Sequence, residues 1–478
     1  MVFSSMLFVF LFLAANLLSQ ILIRDTRKKN IAMLVFSLIF YSWAGPRYLF
    51  LLLLMVLICW AGALYTERAG SPKQKKTGMI VTVALCLVIL GIFKYAGFLI
   101  GNFKAVFGVP EVIPKIVLPI GISFYTFQLI SYVVDVYRGE VEAQKAYWKL
   151  LLYASLFHQC IAGPIVRYRD VAADLEARKA TLNEISRGVG RFTVGLAKKA
   201  ILANGCAAVA DSFLILTSAE KLASVPVCGL LLGLFAFTLQ IYLDFSAYSD
   251  MAIGMGLMCG LHYKENFDYP YISRSISEFW RRWHISLGSF FRDYVYIPLG
   301  GNRKGPRRQI VNLLIVWFLT GLWHGASWNF VLWGLFFGVL IVLERFPMKG
   351  KTDRLPAPVQ TLIVFLLVMF GWILFKFTDL SSLGTALKGL IGLNGNKFTS
   401  LGVRLVFKNN WFFLLVSLLA VTPFWRSVRR IVANLSKKGT AFFWINGIWD
   451  VVQPVLLLVL AAMALAGDSY NPFLYFQF

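Results

Sequence analysis

Apolar runs of membrane-crossing length follow one another almost from end to end of this sequence, and that feature restricts the fold more than any motif in it. A helix needs about 20 apolar residues to traverse a hydrocarbon core. Runs of that order occupy 1–23, 48–65, 78–100, 226–243, 310–343, 357–376, 410–424 and 449–466. Stretches at 31–44 and 116–134 are shorter or broken by Gly and Pro, and read as tilted, re-entrant or buried helices. Lipid offers no partner to a backbone N–H or C=O, so such runs are predicted to be helical. The expected fold is all-α and polytopic, with roughly 10–12 spans plus partial helices. No repeat or long linker divides the chain, which reads as one membrane domain over 1–478 ending in a tail, 467–478.

Composition supports this and excludes other classes. Apolar residues make up 58% of the 478 positions and charged residues 15%, against roughly 45–50% and 25% in soluble domains. A net charge of +24 would suggest nucleic acid in a soluble chain. Here the basic residues cluster between apolar runs, so the charge is read as membrane topology and the bilayer as the partner. Arg24, Arg27, Lys28 and Lys29 follow the first run and Arg68, Lys73, Lys75 and Lys76 follow 48–65. Later clusters lie at Arg167–Lys199, Arg281–Arg308, Arg345–Arg354 and Arg426–Lys438. Placed on the cytoplasmic side, they put both the N-terminus and the tail outside and make 377–409 a sizeable outer loop. The first run has no Lys or Arg ahead of it, unlike a secretory signal. The six cysteines form no CxxC pair, and neither a metal site nor a disulfide framework is indicated.

Ionisable groups inside a membrane are costly and invite a functional reading. The first is His324, in Gly321-Leu-Trp-His-Gly-Ala-Ser-Trp-Asn329, where small residues allow close approach. Helical spacing places Thr320 and Trp328 on its face at i−4 and i+4, and its bland alternative is a hydrogen bond to a neighbouring helix. The second is Ser277-Glu-Phe-Trp-Arg-Arg-Trp-His-Ile-Ser286 with the basic stretch Arg303-Lys-Gly-Pro-Arg-Arg308. Its Trp and Arg residues have the composition of an interfacial helix. Arg303 and Lys304 suit a phosphate-bearing donor such as coenzyme A, or equally an anionic lipid. In Gln240-Ile-Tyr-Leu-Asp-Phe-Ser-Ala-Tyr-Ser-Asp250, Asp244 and Tyr248 are spaced for a helix–helix contact, and Asp250 is a candidate to orient a histidine. In the tail, Phe473, Phe476 and Phe478 fit an aromatic belt, whereas a Tyr475 hydroxyl folded into the protein would need a partner. P-loop, HExxH and GxSxG patterns are absent, leaving ATPase, zincin and α/β-hydrolase readings without support.

Taken together these segments resemble the membrane-bound O-acyltransferase family, in its bacterial alginate and peptidoglycan O-acetyltransferase branch. The resemblance runs in order through the opening MVFSS, Leu118-Pro-Ile-Gly-Ile-Ser-Phe-Tyr-Thr-Phe-Gln128, Asp135-Val-Tyr-Arg-Gly139 and Ile161-Ala-Gly-Pro-Ile-Val-Arg167. It continues through Asp244–Gly254, the block from Phe279 to Lys304 and Gly321-Leu-Trp-His-Gly325. It implies spans around a central tunnel, a catalytic His324 and a second histidine at His284. Trp283, Arg282, Arg303, Lys304, Asp250 and Trp323 become candidates for donor or substrate binding.

The resemblance further implies transfer of an acetyl group from a cytoplasmic thioester, acetyl-CoA or an acyl carrier, for O-acetylation of an extracytoplasmic polysaccharide. No bound cofactor or metal is expected, and the setting is the bacterial cytoplasmic membrane. Phe473-Leu-Tyr-Phe-Gln-Phe478 resembles the C-terminal Tyr motif of the small subunit in teichoic-acid D-alanylation. Tyr475 is thus expected to accept the acyl group and pass it to an esterase-like (SGNH) transferase partner. D-alanyl transfer on the same fold and a proton-coupled transporter are the alternatives.

Overall fold

The computed structural model describes the chain except for residues 1, 44, 109–116, 161–162, 438–439, 468–472 and 475–478. Every regular element among the described residues is helical. Helix Pro72–Phe107 shows how the sequence sets such boundaries. Ser71 accepts the Gln74 N–H in its side chain at 3.3 Å, Pro72 opens the helix where its missing N–H is not needed, and Gly108 closes it at φ 65°. At a rise of about 1.5 Å per residue it is roughly 54 Å long and outreaches a ~30 Å hydrocarbon core.

By length and composition, eight described helices can cross a bilayer. They include Pro46–Arg68, Pro72–Phe107, Val227–Met258, Trp328–Arg345, Ala357–Lys376 and Leu401–Ala420. Several runs in the larger tally from the sequence have another form. The first contains a short apolar stretch, Phe8–Leu22. Run 310–343 breaks at Gly325 into helices Gly305–His324 and Trp328–Arg345.

One helical stretch long enough to span was not among the expected runs. Leu182–Ala197, a π-helical turn Lys198–Ala203 and Asn204–Asp211 are continuous. The basic cluster expected to extend through Lys199 in the cytoplasm therefore ends inside a helix, where Lys199 is buried. The expected outer loop 377–409 contains helix Leu380–Leu390, capped by Asp379, and its end at 401–409 is the start of helix Leu401–Ala420.

The chain divides into two compact units whose segments alternate along the sequence. The first comprises Met1–Phe192, Ser249–Glu265 and Ser289–Val295. In it Ile122–Arg138 is buried along nearly its whole length and held between left-handed glycines, Gly121 (φ 77°) and Gly139 (φ 74°). A Cβ at Gly121 would collide with the Cys160 carbonyl oxygen, so the turn there demands glycine. Residues far apart in sequence meet in this unit: the Tyr294 hydroxyl donates to Asp135 at 2.6 Å, and Arg167 pairs with Asp293 at 2.8 Å.

The second unit comprises Thr193–Tyr248, Asn266–Gly288 and Tyr296–Phe478. At its centre Gly305–His324 and Trp328–Arg345 form an antiparallel hairpin that also packs on Ala357–Lys376. The hairpin closes on glycines: a Cβ at Gly334 would strike the Trp317 carbonyl oxygen, and one at Gly321 the Phe330 carbonyl oxygen. In lipid such small-residue contacts supply the packing that drives helix association. Gly334→Val is expected to lower the thermal midpoint of the detergent-purified protein by several degrees, since overpacking typically costs about 1–3 kcal/mol. Gly384→Ala, on a helix face with nothing within 4 Å, should leave it unchanged or raise it. Equal midpoints for the two variants would contradict this account of the hairpin.

Candidate active site

His324 is the last residue of helix Gly305–His324, and Gly325 leaves the helix in an extended conformation. Ser327 then precedes the next helix, so Thr320 lies on the His324 helix as spacing predicted but Trp328 does not. The imidazole is 7% exposed, with the rings of Trp333, Trp323 and Phe375 at 4.8, 5.0 and 5.3 Å between centroids.

His284 is placed by a strained turn. Helix Ile276–Arg282 begins at a Ser275 cap, and Trp283 bonds through its N–H to the Phe279 carbonyl oxygen. His284 then adopts φ 47°, a left-handed conformation that costs a branched-free glycine little and a histidine more. Asn266, fully buried, holds the turn. Its side-chain oxygen accepts the Ser286 N–H at 3.1 Å and the Ser286 hydroxyl at 2.8 Å, and its carbonyl oxygen accepts the Ile285 N–H at 3.0 Å.

The same side-chain oxygen lies 3.3 Å from His284 Nδ1. That contact assigns the proton to Nδ1 and leaves a lone pair on Nε2, which has no hydrogen-bond partner among the described residues. Burial pushes the imidazole pKa down to about 3, so the ring is neutral at physiological pH. Trp323 joins the two histidines, with ring centroids 5.8 Å from His284 and 5.0 Å from His324.

The remaining sequence candidates fall in different places. Trp283 is buried in an aromatic cluster, with Trp372 at 4.8 Å and Phe279 stacked at 5.6 Å. The interfacial reading of this segment therefore fails for Trp283, which faces protein. Arg282 pairs with Glu278 at 2.9 Å and Asp268 at 3.2 Å, while Arg303 and Lys304 are exposed just ahead of the His324 helix. Asp250 pairs with Arg191 at 3.0 Å within the first unit, where Arg191 also donates to Glu265. Tyr475 lies outside the described residues.

Sequence reasoning missed Asn266, Lys199 and Trp333. Lys199 forms an ion pair with Asp244 at 2.6 Å. This gives the expected helix–helix contact of Asp244 a specific partner. Trp333 is fully buried beside His324, and its indole N–H has no partner among the described residues. A π-helical turn in an apolar helix is the structural mark that accompanies Lys199. Its sequence shows only two adjacent lysines.

Comparisons with known proteins follow the same geometry. A model of the membrane-bound O-acyltransferase family matches residues 144–353, which contain both histidines. Over its full length the chain is 37% identical to a protein described as a probable alginate O-acetylase of Pseudomonas putida, which it also covers completely. The chain belongs to the membrane-bound O-acyltransferase family. As a family member it is a membrane acyltransferase, which sets aside the transporter alternative. A peptidoglycan O-acetyltransferase of Helicobacter pylori is 28% identical to this membrane-bound O-acyltransferase over all of this chain and 98% of its own. A teichoic acid D-alanyltransferase of Bacillus subtilis is 27% identical over 54% of this chain and 67% of its own.

If Asn266 positions His284, Asn266→Ala should slow acyl transfer on the order of 10-fold, chiefly in kcat, because buried polar partners are left unsatisfied. Ser286→Ala, which removes one of these contacts, should cost less than Asn266→Ala. Steady-state kinetics on purified protein separates them, and a wild-type kcat for Asn266→Ala would contradict the positioning role.

Proposed function

We propose that this enzyme takes an acetyl group from a cytoplasmic thioester, acetyl-CoA or an acyl-carrier thioester, and makes it available for O-acetylation of an extracytoplasmic polysaccharide. The observation that carries the reading is the meeting of His284, Trp323 and His324 in one unit. Two relatives named as O-acetylating enzymes, aligned over essentially whole chains, supply the acyl group and the acceptor class.

In this reading the Tyr475 hydroxyl attacks the thioester carbonyl carbon while His324 takes its proton. General-base assistance of this kind is typically worth about 10²–10⁴-fold. The Trp333 indole N–H is the candidate donor to the developing oxyanion. His284 accepts a hydrogen bond at Nε2 and orients a reacting group. Collapse of the tetrahedral intermediate breaks the C–S bond, and the proton held by His324 passes to the departing sulfur. The products are a free thiol and an O-acetyl tyrosine. Because a phenol has a pKa of about 10, low for a hydroxyl, its ester remains a better acyl donor than a sugar ester. The acyl group then passes to a partner transferase of esterase type and from it to the polysaccharide, regenerating Tyr475.

In this reading Arg303–Arg308 lie on the donor side of the bacterial inner membrane and both termini on the opposite side, which the positive-inside pattern of the basic clusters supports. The D-alanylating relative is what favours a second acyl group on the same fold. Mild base releases ester-linked acyl groups from cell-envelope polysaccharide, and the mass of the released acid names the group. Acetate is expected from cells making the wild-type enzyme. At equal protein levels, His324→Ala should release at least 100-fold less. Alanine instead of acetate would overturn the acetyl assignment, and undiminished acetate from His324→Ala would overturn the role of His324.

A further inference from the structure

We propose that the buried Lys199–Asp244 ion pair is a clamp that seats the C-terminal segment by its backbone and so positions the acceptor tyrosine. The inference rests on the acyl-tyrosine reading above for its purpose, though not for its geometry. Asp244 and Lys199 are each 3% exposed in their side chains and are joined at 2.6 Å. The second Asp244 carboxylate oxygen accepts the backbone N–H of Leu474 at 2.8 Å. The Lys199 ammonium stands 4.9 Å from the centre of the Phe473 ring, and the Tyr248 ring meets Phe473 edge-on at 5.0 Å. Phe473 is 1% exposed, so it is a core residue and not part of an aromatic belt.

Each partner contributes something that the others cannot. A buried carboxylate with no more than one cation beside it keeps lone pairs that need donors. The tail supplies one as a main-chain N–H, in a charge-assisted hydrogen bond of the stronger kind. The ammonium, already neutralised by Asp244, still attracts the face of an aromatic ring. Lys199 reaches this place from the π-helical turn Lys198–Ala203, and Asp244 from helix Val227–Met258.

Recognition is therefore by one main-chain amide and one aromatic side chain, with Tyr475 the next residue after the clamped amide. A clamp on residues 473 and 474 fixes the chain direction immediately ahead of Tyr475. Lys199, Asp244 and Phe473 act here as positioning residues.

The test separates seating from chemistry by following hydrogen exchange at the Leu474 amide, resolved by fragmentation mass spectrometry of the full-length protein in detergent. The same samples are scored for an acyl group on Tyr475. The double variant Asp244→Leu/Lys199→Met replaces the pair with apolar residues, a change that buried ion pairs often tolerate without loss of stability. It is expected to exchange on the order of 10- to 100-fold faster at Leu474 than wild type, as loss of a charge-assisted hydrogen bond predicts, and to lose the acyl group. Leu474→Pro, which removes the N–H, should lose the acyl group where Leu474→Ala, which keeps it, retains the acyl group. His324→Ala should lose the acyl group yet keep the slow exchange. Unchanged exchange in the double variant, or full acylation of Leu474→Pro, would overturn the clamp. Slow, Asp244-dependent exchange at Leu474 in a wild-type chain whose Tyr475 never carries an acyl group would support the clamp and overturn the relay.

Discussion

The close approach of helices Gly305–His324 and Trp328–Arg345 through Gly321 and Gly334 is the contact on which the candidate chemistry depends. It brings Trp333 of one helix against His324 at the end of the other. It also fixes where the first helix stops, because the chain must turn at Gly325 to begin the second. Lipid provides little hydrophobic force between helices, so backbone proximity and side-chain fit carry the association. Larger residues at these glycines would move the imidazole relative to the indoles around it. Catalytic geometry is sensitive to displacements of about an ångström.

A second constraint is the cost of burying a polar group without a hydrogen-bond partner. It accounts for Asn266, which meets the needs of a strained turn at His284 with one side-chain oxygen and its own carbonyl. It accounts equally for Lys199 and Asp244, which are tolerable in an apolar interior because they are paired and because a main-chain amide completes the carboxylate. Among the polar arrangements of the second unit are thus one beside His284 and one that joins Lys199, Asp244 and the Leu474 amide.

Much of this was legible in the sequence. The apolar runs named the fold class, and the segments around His284 and His324 that the sequence singled out come together in the second unit. What escaped has physical causes. The span through Leu182–Asp211 was hidden because adjacent Lys198 and Lys199 look like a cytoplasmic charge cluster until Asp244 is known to lie against one of them. Trp and Arg in 277–286 have the same composition whether they meet lipid headgroups or a protein core, so Trp283 was misplaced until Trp372 appeared beside it. Asn266 sits in an irregular polar stretch with no periodicity to mark it. The break at Gly325 was foreshadowed by Gly-Ala-Ser, yet apolar continuity on both sides concealed that Trp328 belongs to another helix.

The central claim is that the acyl group becomes covalently attached to this chain through His324. A single-turnover experiment reads it directly: purified enzyme is mixed with isotope-labelled acetyl thioester in the absence of any polysaccharide or partner, quenched in acid and analysed for bound label. The account predicts close to one equivalent of hydroxylamine-labile label per active chain, located on Tyr475, and none when His324 is alanine. Label absent from the wild-type chain, while added partner and polysaccharide still become acetylated at the normal rate, would contradict it.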